Sequence, residues 1–189
     1  NVLDGARDPA VRRVLGNPYA LNPKDGVRGP DGSDQKGARW DEVAQVWTAP
    51  FVMAGVNTRV VRRSNALMGY SYGEDFSYRE VVSMRRGLKG WYKAQGLTMG
   101  LGVFIALAIP KPTRRLLLAT VLPEPGQGPS KDAREKGRLR VRLIGQGPEG
   151  TMRAVVRAKR DPGYGATSRM LAEAALCLAL ERDGLPERF

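Results

Sequence analysis

Two basic segments with strict alternation constrain the fold of this chain most strongly. Residues 138–144 and 151–159 alternate apolar and polar or basic side chains with a period of two, which is typical of β-strands. A pairing of Leu143 with Met152 across the connecting loop predicts a β-hairpin that gathers the apolar residues on one face. The opposite face would then carry five arginines: Arg138, Arg140, Arg142, Arg153 and Arg157.

No acidic residue balances these arginines on the predicted hairpin face. Like charges placed opposite each other destabilise a β-ladder. The net charge of +12 and the pI near 10.3 also favour anionic partners for the whole chain. The sequence leaves the source of the anion open between acidic side chains, a second domain, lipid headgroups and phosphates. A solvated face with splayed side chains is the other interpretation.

The stretch from Trp47 to Met84 predicts a helix, a turn and a strand in succession. Thr48 is a good N-cap, and Pro50 suits the first helical turn. A Gly/Tyr turn at residues 69–73 ends the helix, and residues 76–84 alternate as a strand does. The helix itself shows apolar residues at three- and four-residue steps, which we expect to face the core: Phe51, Val52, Val56, Val60, Val61, Leu67 and Met68.

Polar residues within the same helix are the candidate binding residues. Arg59 and Arg63 are four residues apart and share a face, and the fork of donors on each guanidinium suits a phosphate or carboxylate. We predict a substrate cleft lined by them and by three further residues: Asn57, Asn65 and Tyr72.

Acid–base candidates lie in and after the turn. Tyrosine or carboxylate side chains can serve in proton transfer beside a carbonyl or enoyl group. The sequence assigns no catalytic residue among them, because exposed acids after a glycine turn usually face solvent. The candidates are Tyr70, Tyr72, Glu74, Asp75 and Tyr78.

The apolar run at residues 97–109 has two interpretations. It is shorter than the about 20 residues that a membrane-spanning helix needs, which favours a buried helix. The alternative is an element that dips into a bilayer surface or a lipid tunnel. Basic residues flank the run on both sides, as that alternative requires: Lys89, Lys93, Lys111, Arg114 and Arg115.

The two ends of the chain contain simpler patterns. Residues 9–15 predict a short helix, and residues 24–37 and 123–137 predict exposed loops from their glycine, proline and polar content. Residues 166–182 predict a helix capped by Thr167 or Ser168. Its buried stripe would consist of Met170, Leu171, Ala174, Ala175, Leu178 and Ala179.

Missing residue types exclude several kinds of chemistry from these 189 residues. The chain contains no histidine, so it has no Ser-His-Asp triad, no imidazole base and no His-ligated metal. Its single cysteine, Cys177, excludes an internal disulfide, and its apolar neighbours predict a buried structural thiol. We expect no metal site, and we expect the reducing cytoplasm as the compartment, with peripheral membrane association left open.

Glycines at residues 145–150 match the pattern G-x-G-x-x-G, but their context rules out a dinucleotide fingerprint. Such a fingerprint follows a strand and opens a helix, so that the pyrophosphate meets the helix N-terminus. Here the glycines join two strands, and Pro148 lacks an amide that could bind phosphate. We predict a hairpin loop here and no measurable NADPH binding by this chain alone. Nucleic acid is also an unfavoured partner, because no aromatic residues interleave with the arginines.

Three longer runs resemble one known family. They are FVMAGVNTRVVRRSNALMGYSYGEDFSYREV, PGQGPSKDAREKGRLRVRLIGQG and RDPGYGATSRMLAEAALCLA. Together they are similar to saccharopine dehydrogenase-like oxidoreductases, and within these to the trans-acting enoyl reductase branch. The resemblance implies a C-terminal fragment that lacks an N-terminal Rossmann domain. It also implies NAD(P), with NADP preferred, as the cofactor of the full-length protein, and reduction of double bonds in lipid-like or polyketide chains.

The patterns and the resemblance together predict the architecture and the role. We expect an α+β fold with a mostly antiparallel or mixed sheet, built around the hairpin and the strand near residues 76–84, and with helices packed on one face. Residues 1–39 would form an irregular connection, and residues 40–189 a substrate-binding and interface domain. The alternative is a non-catalytic basic module that binds anionic membranes. A homodimer is left open.

Overall fold

The computed structural model describes residues 8–120, 128–181 and 184. The chain forms two compact units, Asn1–Thr120 and Val121–Phe189. Helices and two small antiparallel sheets are both present, which confirms the α+β class. The predicted single sheet is divided, because the hairpin and the strand after the tyrosine turn lie in different sheets.

The first unit contains a three-stranded sheet and most of the described helices. Strand β2 is central and pairs antiparallel with β1 on one side and with β3 on the other. The elements in chain order are α1 (Pro9–Gly16), β1 (Arg39–Asp41), β2 (Val46–Pro50), α2 (Ala54–Leu67), β3 (Val81–Ser83), α3 (Gly87–Ala108) and α4 (Lys111–Thr120).

Thr48 and Pro50 belong to β2 and do not begin the helix, which corrects the predicted start of α2. Thr48 is fully buried, and its hydroxyl donates to the carbonyl of Arg39 at 3.0 Å. The same residue pairs with Ser83 across the β2–β3 ladder. A threonine can serve as an N-cap or as a strand residue, and the available strand partners decide here. The predicted strand at residues 76–84 is correspondingly reduced to β3.

Helix α3 packs on β2 through its N-terminal part. Ala94 is completely buried, and Gly90 is buried one turn earlier on the same face. A Cβ atom on Gly90 would lie 1.8 Å from the carbonyl oxygen of Arg85, so only glycine fits this position. The core that results is built of small side chains, among them Ala49 and Ala54.

The second half of α3 is exposed, which contradicts the preferred interpretation of residues 97–109 as a buried helix. Met99 and Val103 are 69% and 58% exposed, and the neighbouring large apolar residues are exposed as well. No single helix in the described part of the chain is long and apolar enough to cross a membrane. Gly87–Ala108 and Lys111–Leu117 together are long and apolar enough to cross a membrane, but the two helices are bent by 118° relative to each other.

The second unit contains the predicted hairpin. Strands β4 (Leu139–Gly147) and β5 (Gly150–Ala158) pair antiparallel around a tight turn at Gly147 and Gly150. Leu143 pairs with Ala154 and not with Met152, so the predicted register is wrong by two residues. A shift of two preserves the faces of a strand, and the apolar and basic faces are therefore as predicted. The tighter turn accounts for the change in register.

Two helices, α5 (Lys131–Lys136) and α6 (Gly165–Leu180), complete the second unit. Helix α5 lies within a predicted loop, because Ser130 caps it by accepting from the amide of Ala133 at 3.2 Å. Residues 123–127 of that loop and residue 182 of the predicted last helix lie outside the described residues.

Two expectations for α6 are wrong. Neither Thr167 nor Ser168 caps the helix, because the carboxylate of Asp161 accepts the amides at its start. The predicted buried stripe is exposed, with Met170 at 54% and Leu171 at 70%. An apolar stripe is buried only where another element covers it, and no such cover is present among the described residues.

Candidate functional site

Helix α2 turns its polar stripe inward and its apolar stripe outward, the reverse of the prediction. The buried residues follow one helix face at steps of four, four and three residues. They are Ala54, Thr58, Arg62 and Asn65. Six of the seven predicted core residues are exposed, including Val52 just before the helix at 67% and Val56 at 57%, and Val61 is half-buried. The periodicity therefore identified the helix correctly and its buried face wrongly.

Arg62 is the centre of the inward face. Its side chain is only 4% exposed, and its Nε donates to a carboxylate oxygen of Asp31 at 2.6 Å. The two terminal nitrogens donate to the carbonyls of Pro18 at 3.1 Å and Tyr78 at 2.8 Å. The guanidinium also lies 5.5 Å from the ring centroid of Tyr19. A buried charge needs this degree of pairing and hydrogen bonding to be tolerated.

Asp31 connects the loop before β1 to the segment after the tyrosine turn. Besides Arg62, its carboxylate accepts from the Ser77 hydroxyl at 2.5 Å and from the Tyr78 amide at 3.0 Å. Its own amide donates to the hydroxyl oxygen of Tyr19 at 2.9 Å. Residues far apart in sequence are thus joined at one carboxylate, which fixes the loop against α2.

The two predicted binding arginines contact the chain itself. Arg59 donates to the carbonyls of Leu15 at 2.6 Å and Asn17 at 3.1 Å, and pairs with Asp34 at 3.0 Å. Arg63 donates to the carbonyl of Leu21. Both side chains therefore hold residues 15–34 along the helix. These intramolecular hydrogen bonds do not test whether the two arginines also bind substrate, which stays a prediction.

The three other candidates lie near them on α2 and the turn. Asn65 donates to the carbonyl of Gly73 at 2.9 Å and accepts from the amide of Tyr72 at 3.0 Å, which shapes the turn. The ring of Tyr72 is 56% exposed and lies 5.3 Å from that of Phe76. Asn57 donates to Glu80 at 2.8 Å. Of the five predicted residues, only Arg63 and Tyr72 are exposed.

Tyr78 and Glu80 form a second polar pair beside the site. The hydroxyl of Tyr78 donates to one carboxylate oxygen of Glu80 at 2.9 Å, while Asn57 donates to the other. Burial, followed by the hydrogen bond to Glu80 and its charge, raises the pKa of Tyr78 to about 12. The phenol is therefore neutral near pH 7 and a weaker acid than usual, which favours a role in orienting Glu80 over a role in proton donation.

Sequence reasoning missed the residues that organise this site. Arg62, Asp31 and Thr58 gave no motif, and Asp31 lies in a segment predicted to be an exposed loop. One signal was available, because Ala54, Thr58 and Arg62 repeat at four-residue steps as a stripe of their own. The apolar residues of the same helix also repeat at helical spacing, and they predict a core on the opposite face.

Four of the five hairpin arginines, Arg140, Arg142, Arg153 and Arg157, lie as predicted on the face opposite the apolar residues of β4, and Arg138 precedes the ladder. Arg140 pairs directly with Arg157, whereas Arg142 faces Val155 and Arg153 faces Ile144. The face is therefore basic with two aliphatic residues between the charges. Both strands are mostly exposed. Whether an anionic surface covers this face stays a prediction.

Metal and thiol chemistry receive little support from the described geometry. Within residues 8–120 and 128–181, no group of three or more Cys, Asp or Glu side chains could hold a metal ion. Cys177 is half-buried and not fully buried as predicted. A hydrogen bond to Glu181 and partial burial raise the pKa of its thiol, which lowers its reactivity.

Comparison with known proteins identifies relatives for almost the whole chain. It is 40% identical over 192 aligned residues to a Mycobacterium tuberculosis protein named "Putative trans-acting enoyl reductase", which covers 96% of the chain. Proteins named trans-acting enoyl reductase from Mycobacterium ulcerans and Mycobacterium bovis are 34% and 33% identical, each across 95% of the chain.

The relatives are longer than this chain. It spans about half the length of the curated relatives it matches, 46% of the Mycobacterium tuberculosis protein and 45% of the Mycobacterium ulcerans protein. No family model and no solved structure matches the chain.

Proposed function

We propose that this chain is the substrate-side part of an enoyl reductase, an oxidoreductase that saturates a carbon–carbon double bond in a lipid-like substrate. The observation that supports this most strongly is 40% identity to a named enoyl reductase across 96% of the chain. The finer assignment to saccharopine dehydrogenase-like oxidoreductases is part of the same proposal. It rests on the three sequence runs described above.

In this proposal, NADP binds to residues outside this chain. The described residues do not fit a dinucleotide, because their only G-x-G-x-x-G pattern forms the β4–β5 hairpin and opens no helix. A Rossmann domain in the complete protein is the proposed partner of this substrate-side part. The chain's own contribution is then to bind and position the substrate.

The proposed substrate cleft lies along α2 and the tyrosine turn. Tyr72 would contact the substrate with its exposed ring, and Asn57 would contribute its amide. Arg59, Arg63 and Asn65 would act as positioning residues, since their side chains hold residues 15–34 and the turn in place. The exposed apolar part of α3 offers a surface for an aliphatic chain.

The test is the rate of NADPH oxidation by the complete protein with an enoyl thioester as substrate. Tyr72→Ala is expected to lower kcat/KM by about 5- to 10-fold, mainly through KM, because it removes an aromatic contact that binds ground state and transition state alike. Tyr92→Ala is the matched control, since Tyr92 is also an exposed tyrosine (66%) and lies in the first half of α3, outside its exposed apolar part. Equal kinetics of both variants and the wild type would exclude Tyr72 from the cleft, and absence of any NADPH oxidation would contradict the reductase proposal.

Membrane association is a second candidate function, favoured by the exposed apolar half of α3 between basic flanks. Flotation with vesicles tests it, since headgroup attraction depends on lipid charge and salt. We expect the chain to float with phosphatidylserine-containing vesicles at low salt and to be released at high salt. Neutral phosphatidylcholine vesicles are the control. No flotation at low salt would remove this candidate.

A further inference from the structure

Two segments of the second unit that are distant in sequence pack against each other. The amide of Asp161 donates to the carbonyl of Arg134 at 2.9 Å. A Cβ atom on Gly137 would lie 2.3 Å from the amide nitrogen of Asp161, so the close approach requires glycine. On the other side, Gly128 lies against the ring of Tyr164. The contact joins residues 128–137 to residues 160–168.

Asp161 holds the second of these segments in shape. Its carboxylate accepts the amides of Gly163 at 3.0 Å, Tyr164 at 2.7 Å and Gly165 at 2.8 Å. These hydrogen bonds, that of Gly165 first, and the nearby charge of Arg134 lower the pKa of the Asp161 carboxyl. The amides that open α6 are therefore already paired, and a further anion here would have to be bound by side chains.

A cavity of 540 Å³ opens where the two segments meet, a volume typical of small-molecule sites. Three cationic side chains line it, two from α5 and one from the segment before α6, together with one acid and two hydroxyls. They are Lys131, Arg134, Arg160, Glu135, Thr167 and Ser168. None of the three cations forms an ion pair with another described residue.

We propose that this cavity binds the phosphate group of an organic phosphate. Three cations and one acid, Glu135, line the cavity, so its lining is net positive. Cations that converge on one space repel each other, and an anion between them reduces this cost. The guanidinium forks of Arg134 and Arg160 match the oxygens of a phosphate, and the hydroxyl of Ser168 can add a neutral donor. The hydroxyl of Thr167 already donates to the carbonyl of Pro162 at 2.5 Å. The cavity is larger than orthophosphate requires, which leaves room for the organic part.

Calorimetric titration of the 189-residue chain with inorganic pyrophosphate at low salt tests the site. The double variant Arg134→Gln/Arg160→Gln is expected to weaken binding at least about 10-fold, because it removes both forks. The matched control is Arg140→Gln/Arg157→Gln, which removes two charges from the hairpin in the same unit and should change affinity less than about 2-fold. If circular dichroism shows that the double variant is unfolded, the single variant Lys131→Gln, at an exposed position, replaces it.

The outcomes distinguish specific binding in the cavity from non-specific attraction of an anion to a basic protein. Equal losses in both double variants, or no binding of pyrophosphate by the wild type, would overturn the proposal. Two further titrations identify the source of the phosphate. Binding of ADP at least as tight as pyrophosphate points to a soluble mononucleotide, and Arg134- and Arg160-dependent binding to phosphatidic acid vesicles points to a lipid headgroup. Failure of the site leaves the reductase proposal intact, because no hydride transfer is measured.

Discussion

Replacing Arg62 with alanine is expected to destabilise the first unit by about 3–5 kcal/mol, the usual cost of breaking a buried ion pair from one side. The substitution leaves Asp31 with 9% of its side chain exposed and without its charged partner. It also removes donors from the carbonyls of Pro18 and Tyr78. The loop before β1 and the segment after the tyrosine turn should separate from α2 together.

Urea denaturation followed by tryptophan fluorescence measures the loss of stability in the first unit. All three tryptophans, Trp40, Trp47 and Trp91, lie in the first unit. Arg63→Ala is the control, because Arg63 is the next residue on the same helix and its exposed side chain, among the described residues, donates to the carbonyl of Leu21 alone. We expect it to cost about 0.5–1.5 kcal/mol. Equal stability of the two variants would show that the buried pair does not organise this unit.

Gly90→Ala is expected to destabilise the same unit by at least about 2 kcal/mol, although alanine is the better helix former. The added Cβ would lie 1.8 Å from the Arg85 carbonyl oxygen and 2.6 Å from its carbon. Backbone atoms at this distance cannot turn away as a flexible side chain can. Helix α3 must therefore shift on β2, where Ala94 is completely buried.

Gly96→Ala on the same helix provides a control of opposite sign. Nothing lies within 4 Å of a Cβ atom placed on Gly96. The gain in helix propensity should therefore raise the free energy of unfolding by about 0.5–1 kcal/mol. The two glycines together test the packing of α3, and a stabilising Gly90→Ala would contradict it.

The interior contacts of the first unit explain why its stability should depend on single residues. Its buried apolar side chains are small, and the largest fully buried side chains are the threonines Thr48 and Thr58. Polar contacts between α2 and the preceding loop therefore contribute much of the specificity of the packing. In such networks each buried group depends on its partner, because an unpaired member keeps its full desolvation cost.

Local patterns in the sequence determined the elements that depend on near neighbours. Period and glycine position predict the hairpin at residues 138–159, the turn at residues 69–73 and the helices near residues 9–15 and 166–182. The basic face of the hairpin also follows, because alternation fixes the faces even when the register shifts by two residues. The resemblance to enoyl reductases was visible in the sequence as well.

Tertiary structure alone decided which faces are buried and which distant residues meet. Helix α2 has an apolar stripe and a polar stripe at helical spacing, and only the loop containing Asp31 selects the polar one as the interior. Thr48 could begin a helix or lie in a strand, and β1 and β3 select the strand. The cavity between residues 128–137 and 160–168 depends on the same kind of contact. Periodicity reports that an element has two faces, whereas burial depends on the free energy of contacts with partners far away in the sequence.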